Sequence, residues 1–197
     1  LLNGQDIRNF KKEDLYGLIA PVFQEATILP FTVAQNVAMS DENVDRDRVE
    51  ESLKRVGLWE AVGRLPLGMD NGMTSLEEGG SSFSGGQKQK LLMARALYKG
   101  AQLLFFDEPT AALDPIAESE TYEMFHSLSG NKTAVYISHR LASTLFCSRV
   151  VFLENGRVKA CGSHEELMKT CGEYREMYDL QSQYYKKTDG LDAGAFA

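Results

Sequence analysis

A chain of 197 residues, 43% hydrophobic and 25% charged with only 5 prolines, is long enough for one ordinary globular domain or for two lobes of one. Its net charge of -7, from 21 Lys and Arg against 28 Asp and Glu, argues against duplex DNA as a main partner, since no basic cluster is visible to neutralise phosphates. No apolar run approaches a membrane span and no signal peptide is legible, while Cys147, Cys161 and Cys171 lack metal-like spacing and read as reduced cytosolic thiols.

In chain order, residues 1–7 read as the end of a strand and an Asn3-Gly4 turn. A short polar helix is expected over residues 11–17. Residues 18–23 form a buried-strand candidate that runs into Gln24-Glu25. One Gln after a strand is, on pattern alone, ordinary surface loop. Residues 27–38 are apolar without strand alternation, which plain core packing explains. The stretch 41–50 is charge-rich. Val49, Leu53 and Val56 then recur at helical spacing, with Gly57 as the stop. Residues 58–62 read as another short helix, and 65–82 as a loop rich in Gly and Ser.

Ser84 and Gln87 stand three apart, as a capping box requires, and open a helix that runs to Tyr98. Gly85 and Gly86 leave its first turn without side chains. The N–H groups and the positive end of the helix dipole are then open to an anion, phosphate above all. A merely well-capped helix is the plainer alternative, yet two adjacent glycines cost helix stability without helping a cap.

Leu103-Leu104-Phe105-Phe106 shows no alternation and reads as a strand buried on both faces, stopping on Asp107-Glu108. Strands of a parallel sheet present their C-terminal ends to the ligand crevice, and Pro109 makes the chain turn there. Two carboxylates at such a rim suit a nucleotide hydrolase. One helps hold Mg²⁺ and the other orients or deprotonates the attacking water. Taken alone, the same letters also describe a buried strand that ends in solvated acids.

Asp114-Pro115 starts a helix as N-cap and first-turn residue, and Gly130 ends it after Leu128. His126 near its end is a helix residue without chemistry. Residues 133–137 are a β-branched, apolar strand leading to Ser138-His139-Arg140-Leu141, which puts His139 at the ligand edge as well. Residues 149–153 and 157–161 form a hairpin around Asn155-Gly156. Ser163 and Glu166 make a capping box, with His164 as a first-turn residue. The final segment is helical to Tyr185, and residues 186–197 are small and polar and expected to fray.

Phe83-Ser84-Gly85-Gly86-Gln87, then Ala94-Arg95-Ala96-Leu97, then the strand ending in Asp107-Glu108-Pro109-Thr110, resemble the signature and Walker B region of an ABC-transporter nucleotide-binding domain. Order and spacing together are far more specific than any one motif. The resemblance covers nearly all of residues 1–181. It implies an α/β fold: a partial RecA-like P-loop NTPase core with a mostly parallel sheet, and an inserted α-helical lobe. The implied division is core 1–24, helical signature lobe 25–98, core continued 99–185 and frayed tail 186–197.

It also implies ATP and Mg²⁺ as cofactors. Asp107 and Gln24 would face the metal. Glu108 would polarise the water, while Gln24 (the Q-loop residue) and His139 (the H-loop residue) position it. Ser84, Gly85, Gly86 and Gln87 would clasp the γ-phosphate bound to a second nucleotide-binding domain, and Asp114 would be the D-loop residue that contacts that partner. Residues 27–38 resemble the segment that meets the coupling helices of a transmembrane domain, fused or separate, at the cytoplasmic face of a membrane. Residues 74–80 loosely resemble an acidic cross-subunit loop of exporter-type members. Ile137-Ser138-His139-Arg140-Leu141 and Gly162-Ser163-His164-Glu165-Glu166-Leu167 look exporter-like too.

Departures are few. Phe83 stands where Leu is usual, Lys90 where Arg, Ala111 where Ser and Ser148 where Asp is common, and none of these removes a catalytic group. No Gly-x-x-x-x-Gly-Lys-Ser/Thr loop occurs, and the chain starts at Leu1-Leu2 without Met. The expectation is an incomplete domain, inactive by itself for want of Walker A, the loop that cradles the phosphates. Two other readings stay open. One is an ABC-type ATPase of chromosome or DNA-repair machinery, disfavoured by the acidic charge and the lack of sustained heptads. The other is a non-catalytic dimerisation fragment.

Overall fold

Three short apolar runs, far apart in the chain, meet in one parallel sheet: β1 (Ile19–Phe23), β2 (Leu103–Asp107) and β3 (Thr133–Ile137), in that spatial order. The register pairs Phe23 with Asp107 and Asp107 with Ile137, so all three strands finish at one edge. The computed structural model describes residues 1–23, 27–73, 83–109, 115–130 and 132–192. Two compact units divide the chain, Leu1–Ile137 and Ser138–Ala197.

In the first unit, α1 (Lys12–Leu18) leads into β1. The chain then passes through α2 (Val33–Ala38), α3 (Arg46–Arg55), α4 (Trp59–Gly63) and α5 (Gly85–Lys99) before it returns as β2. The crossover from β2 to β3 is α6 (Pro115–Ser129). Each boundary has a local cause. Asp45 caps α3 through a bond from Arg48 N–H. Gly100, at φ 71°, closes α5 in the left-handed conformation that glycine adopts without steric cost.

The expectation of strands buried on both faces needs correction. Ala20, Val22, Leu104 and Phe106 lie in the core, whereas Leu103 and Phe105 are half-buried and Pro21 and Phe23 exposed. Side chains alternate across a strand, and this unit's apolar cluster covers one face of the sheet. Phe106 is sandwiched between Phe125 of α6 and Tyr136 of β3, with ring centroids 4.6 and 4.7 Å away. Such offset stacks hold ring orientation as well as burying area. Residue 106 therefore gives Asp107 and the rim a rigid footing. Residues 1–7 form a tight turn with one isolated Leu2–Gln5 bridge rather than a strand end.

The second unit holds a 3-10 turn at Leu141–Phe146, the antiparallel pair β4 (Val150–Glu154) and β5 (Arg157–Gly162), and the helices α7 (His164–Thr170) and α8 (Gly172–Asp192). Asn155 and Gly156 both have positive φ, 52° and 73°, the conformation a two-residue hairpin requires. Leu141, Leu167, Cys171 and Tyr174 form its small core. Helix α8 continues past Lys186 to Asp192, where fraying was expected. Among the described residues, no helix is long and apolar enough to cross a membrane.

Candidate functional site

Two features of the first unit carry the candidate chemistry. The first is the N-terminus of α5. Ser84 Oγ accepts from Gln87 N–H at 3.3 Å, and Gln87 Oε1 accepts from Ser84 N–H at 2.9 Å, so the expected capping box is complete. The first helical bond runs from Lys88 N–H to Ser84 O. The N–H groups of Gly85 and Gly86 therefore have no acceptor within their own helix. Both glycines are exposed, and a Cβ built on either meets no atom within 4 Å. Neither has a positive φ. Packing among the described residues thus gives no reason for glycine at either position.

The second feature is the sheet edge. Asp107 ends β2 half-buried, and Glu108 follows with its N–H bonded to Ile137 O at 2.9 Å, one step beyond the ladder. Glu108 has φ 45°, a left-handed conformation that costs a non-glycine residue roughly 1 kcal/mol or more and is concentrated at functional sites. Two half-buried carboxylates at the C-terminal edge of a parallel sheet are hard oxygen donors. They suit a small divalent cation that also binds phosphate oxygens. Gln24 and Asp114 lie outside the described residues, as do the loop 74–80 and Ala111.

Helix α5 is held in place by a polar hub that no local pattern announced. Asn36 in α2 is fully buried. Its Nδ2 donates to the carbonyls of Leu29, Phe31 and Thr32, and its Oδ1 accepts from Leu29 N–H at 2.9 Å. Arg95 of α5 donates through Nε to Asn36 O at 2.8 Å, through an Nη to Asn36 Oδ1 at 2.7 Å and through the other Nη to Thr27 O at 3.1 Å. Burial pushes the Arg95 guanidinium down from its usual range. Asn36→Ala strands several buried donors and acceptors at once and is expected to cost about 3 kcal/mol. A fall in the urea midpoint of the purified chain measures it. An unchanged midpoint would mean that water replaces the side chain.

His139 belongs to the second unit and is exposed. The backbone around it is tied to α8. Gln181 Nε2 donates to His139 O at 2.8 Å, and Leu141 N–H donates to Gln181 Oε1 at 2.8 Å. His164 is more than a first-turn residue. Its Nδ1 is 2.8 Å from Tyr174 Oη and 3.3 Å from Thr144 Oγ1, and its ring lies against Tyr178. The Ser163–Glu166 capping box forms as expected. Neither Asn36 nor Gln181 was legible in advance, because each acts on residues its own helix pattern does not reveal.

Residues 1–111 match the family model of the ABC transporter. Among curated proteins, the chain is 40% identical over 184 residues to an ATP-dependent lipid A-core flippase of Cupriavidus metallidurans, covering 92% of this chain and 30% of that protein. It is 33% identical over 178 residues to the mycobactin import ATP-binding/permease protein IrtA of Mycolicibacterium smegmatis, covering 90% of this chain and 20% of that one. The chain thus spans less than a third of these relatives. A solved bacterial Atm1-family ABC exporter with ATP bound shares its fold with a TM-score of 0.78 at 30% identity, over 91% of this chain and 31% of that one. The family model over residues 1–111 and the likeness to a solved exporter agree with the motifs and the parallel sheet: the chain belongs to the ABC transporter family, and its fold is that of the nucleotide-binding domain of an exporter-type member.

Proposed function

We propose that the chain forms part of an ATP-hydrolysing domain that powers an ABC exporter, working as one of a pair with ATP sandwiched between the two. The observation that carries this reading is the open first turn of α5. Among the described residues, two adjacent glycines whose added Cβ would meet no atom within 4 Å carry N–H groups without an acceptor in their own helix, at the positive end of that 15-residue helix. Nothing of the described chain uses that space, which suits a phosphate brought by another copy. Ser84, Gly85, Gly86 and Gln87 are then the signature residues, and Asp114 faces the same partner.

At the sheet edge, Asp107 with Gln24 would hold Mg²⁺, which when bound neutralises phosphate charge. Glu108 takes the proton of the attacking water, and His139 and Gln24 hold that water in line. The coupled partner is a transmembrane domain, fused or separate, and the ATPase pair sits at the cytoplasmic face of its membrane. Relatives include lipid A-core flippases and a protein named for mycobactin import; the exporter-like fold favours outward transport here. Nucleic acid is not part of it. Among the described residues before β2 the longest helix is α5, with 15 residues, far short of a coiled-coil arm.

The 197 residues contain no phosphate loop and no lysine of that motif. The purified chain is expected to release no phosphate from ATP, whereas a complete transporter carrying it turns over. Mg²⁺-dependent phosphate release by the chain alone, abolished by Glu108→Gln, would contradict this.

A further inference from the structure

The segment that carries His139 is braced twice by the C-terminal helix α8. Gln181 in α8 reaches both sides of Arg140 with one planar amide, donating to the carbonyl before it and accepting from the N–H after it, each at 2.8 Å. The pairing sets the amide's orientation, because only Nε2 can face the carbonyl and only Oε1 the N–H. Arg140's own backbone is satisfied locally. Its N–H donates to Ser138 Oγ at 2.9 Å, and its carbonyl accepts from Ser143 Oγ at 2.7 Å. Further along the turn, Tyr174 Oη donates to Thr144 Oγ1 at 2.9 Å, and Thr144 Oγ1 donates to Leu141 O at 2.6 Å.

The two braces differ in kind. Tyr174 is fully buried and is itself core, so its loss threatens the whole unit. Gln181 is half-buried and stands outside the apolar cluster. Its two bonds act on the peptide groups on either side of Arg140. Locking those groups restricts rotation of the peptide that follows His139, and with it the direction in which the exposed imidazole leaves the backbone.

We infer that Gln181 is a positioning residue for His139: the side-chain amide of the C-terminal helix clamps the backbone on both sides of Arg140 and so fixes the imidazole for ATP hydrolysis. This rests on the proposed role of His139 in holding the attacking water. A displacement of about 1 Å in a catalytic group costs on the order of a hundredfold in rate. Loosening one of two braces is therefore expected to cost about tenfold.

The test is steady-state ATP hydrolysis by a complete transporter carrying this domain, with radiolabelled ATP followed long enough to read slow variants. Gln181→Leu, which removes both bonds at similar size, should lower kcat about tenfold and change KM for ATP less than about twofold. In a His139→Ala background, adding Gln181→Leu should slow turnover no further, since a clamp has nothing left to position. Should Gln181→Leu fail to assemble, Gln181→Glu carries the same comparison, because it keeps the acceptor and turns the donor into a repelling oxygen.

Losses that multiply in the double variant would mean that Gln181 acts elsewhere, and the inference falls. Normal turnover of Gln181→Leu beside an impaired His139→Ala overturns the clamp and leaves the role of His139 standing. Intact turnover of His139→Ala overturns both.

Discussion

Replacing Glu108 by Gln in a complete transporter is expected to lower ATP turnover by a hundredfold or more while leaving ATP binding in place. Glu108 follows the last residue of β2 at the edge where all three parallel strands end. Its backbone is fixed by the bond to Ile137 O at 2.9 Å, in a left-handed conformation that Gln adopts at the same cost. The substitution keeps size and hydrogen-bonding reach and removes only the basic oxygen. The loss should therefore appear in kcat, with ATP still retained on the protein. General-base catalysis contributes about a hundredfold to ten-thousandfold, which sets the scale. Equilibrium binding of labelled ATP beside phosphate release checks both halves. Near-normal turnover would move the role of base to another residue. Loss of binding together with turnover would make Glu108 a nucleotide-holding rather than a proton-accepting group.

Gly85→Asp is expected to abolish turnover of the pair while each copy still binds ATP at its own sheet edge. Gly85 has no positive φ, and a Cβ built there meets no atom of the described residues within 4 Å, so a side chain can start from it without strain. A carboxylate in the first turn is even favourable toward the helix dipole. The variant should fold normally, and its defect should be electrostatic: a fixed negative charge where a phosphate must arrive.

The location of that phosphate is tested by mixing. In complete transporters that carry this domain, one copy has Gly85→Asp; the other has an intact signature and a disabled phosphate-loop lysine outside the present 197 residues. If the signature serves the partner's nucleotide, one composite site of the mixed pair holds both defects and the other none. Each variant alone should then be inactive, and the mixture should regain part of the activity. A mixture that stays inactive, although mixed pairs are shown to form, would speak for a signature that works within its own copy or for sites that cannot act independently. Cross-linking Ser84 to a nucleotide held by a tagged copy separates those two.

Much of this chain was legible because its signals are local. Ser84 with Gln87, Ser163 with Glu166, Asn155-Gly156 and the stop at Gly57 each depend on residues within a turn of one another, and each forms as read. The run ending in Asp107-Glu108 marked a strand and its rim for the same reason, since an apolar stretch closed by two acids and a proline has few other backbone solutions. What the letters could not say is which face of each strand would be covered. Leu103 and Phe105 look as apolar as Leu104 and Phe106, yet only the latter pair is fully buried. That choice depends on where Phe125 and Tyr136 arrive from elsewhere in the chain.

Asn36 and Gln181 make the same point for polar groups. An Asn inside an apolar helix and a Gln on a polar one carry no local mark of importance. The first becomes a hub only when Arg95 comes to lie against it, and the second becomes a clamp only when α8 passes the backbone of His139 and Leu141. The capped helix, the acidic rim and the turns follow from neighbouring residues, because short-range hydrogen bonding and steric limits act within a few positions. What orients them comes from the packed fold, because buried hydrogen bonds draw their partners from distant positions and exist only once the core has closed.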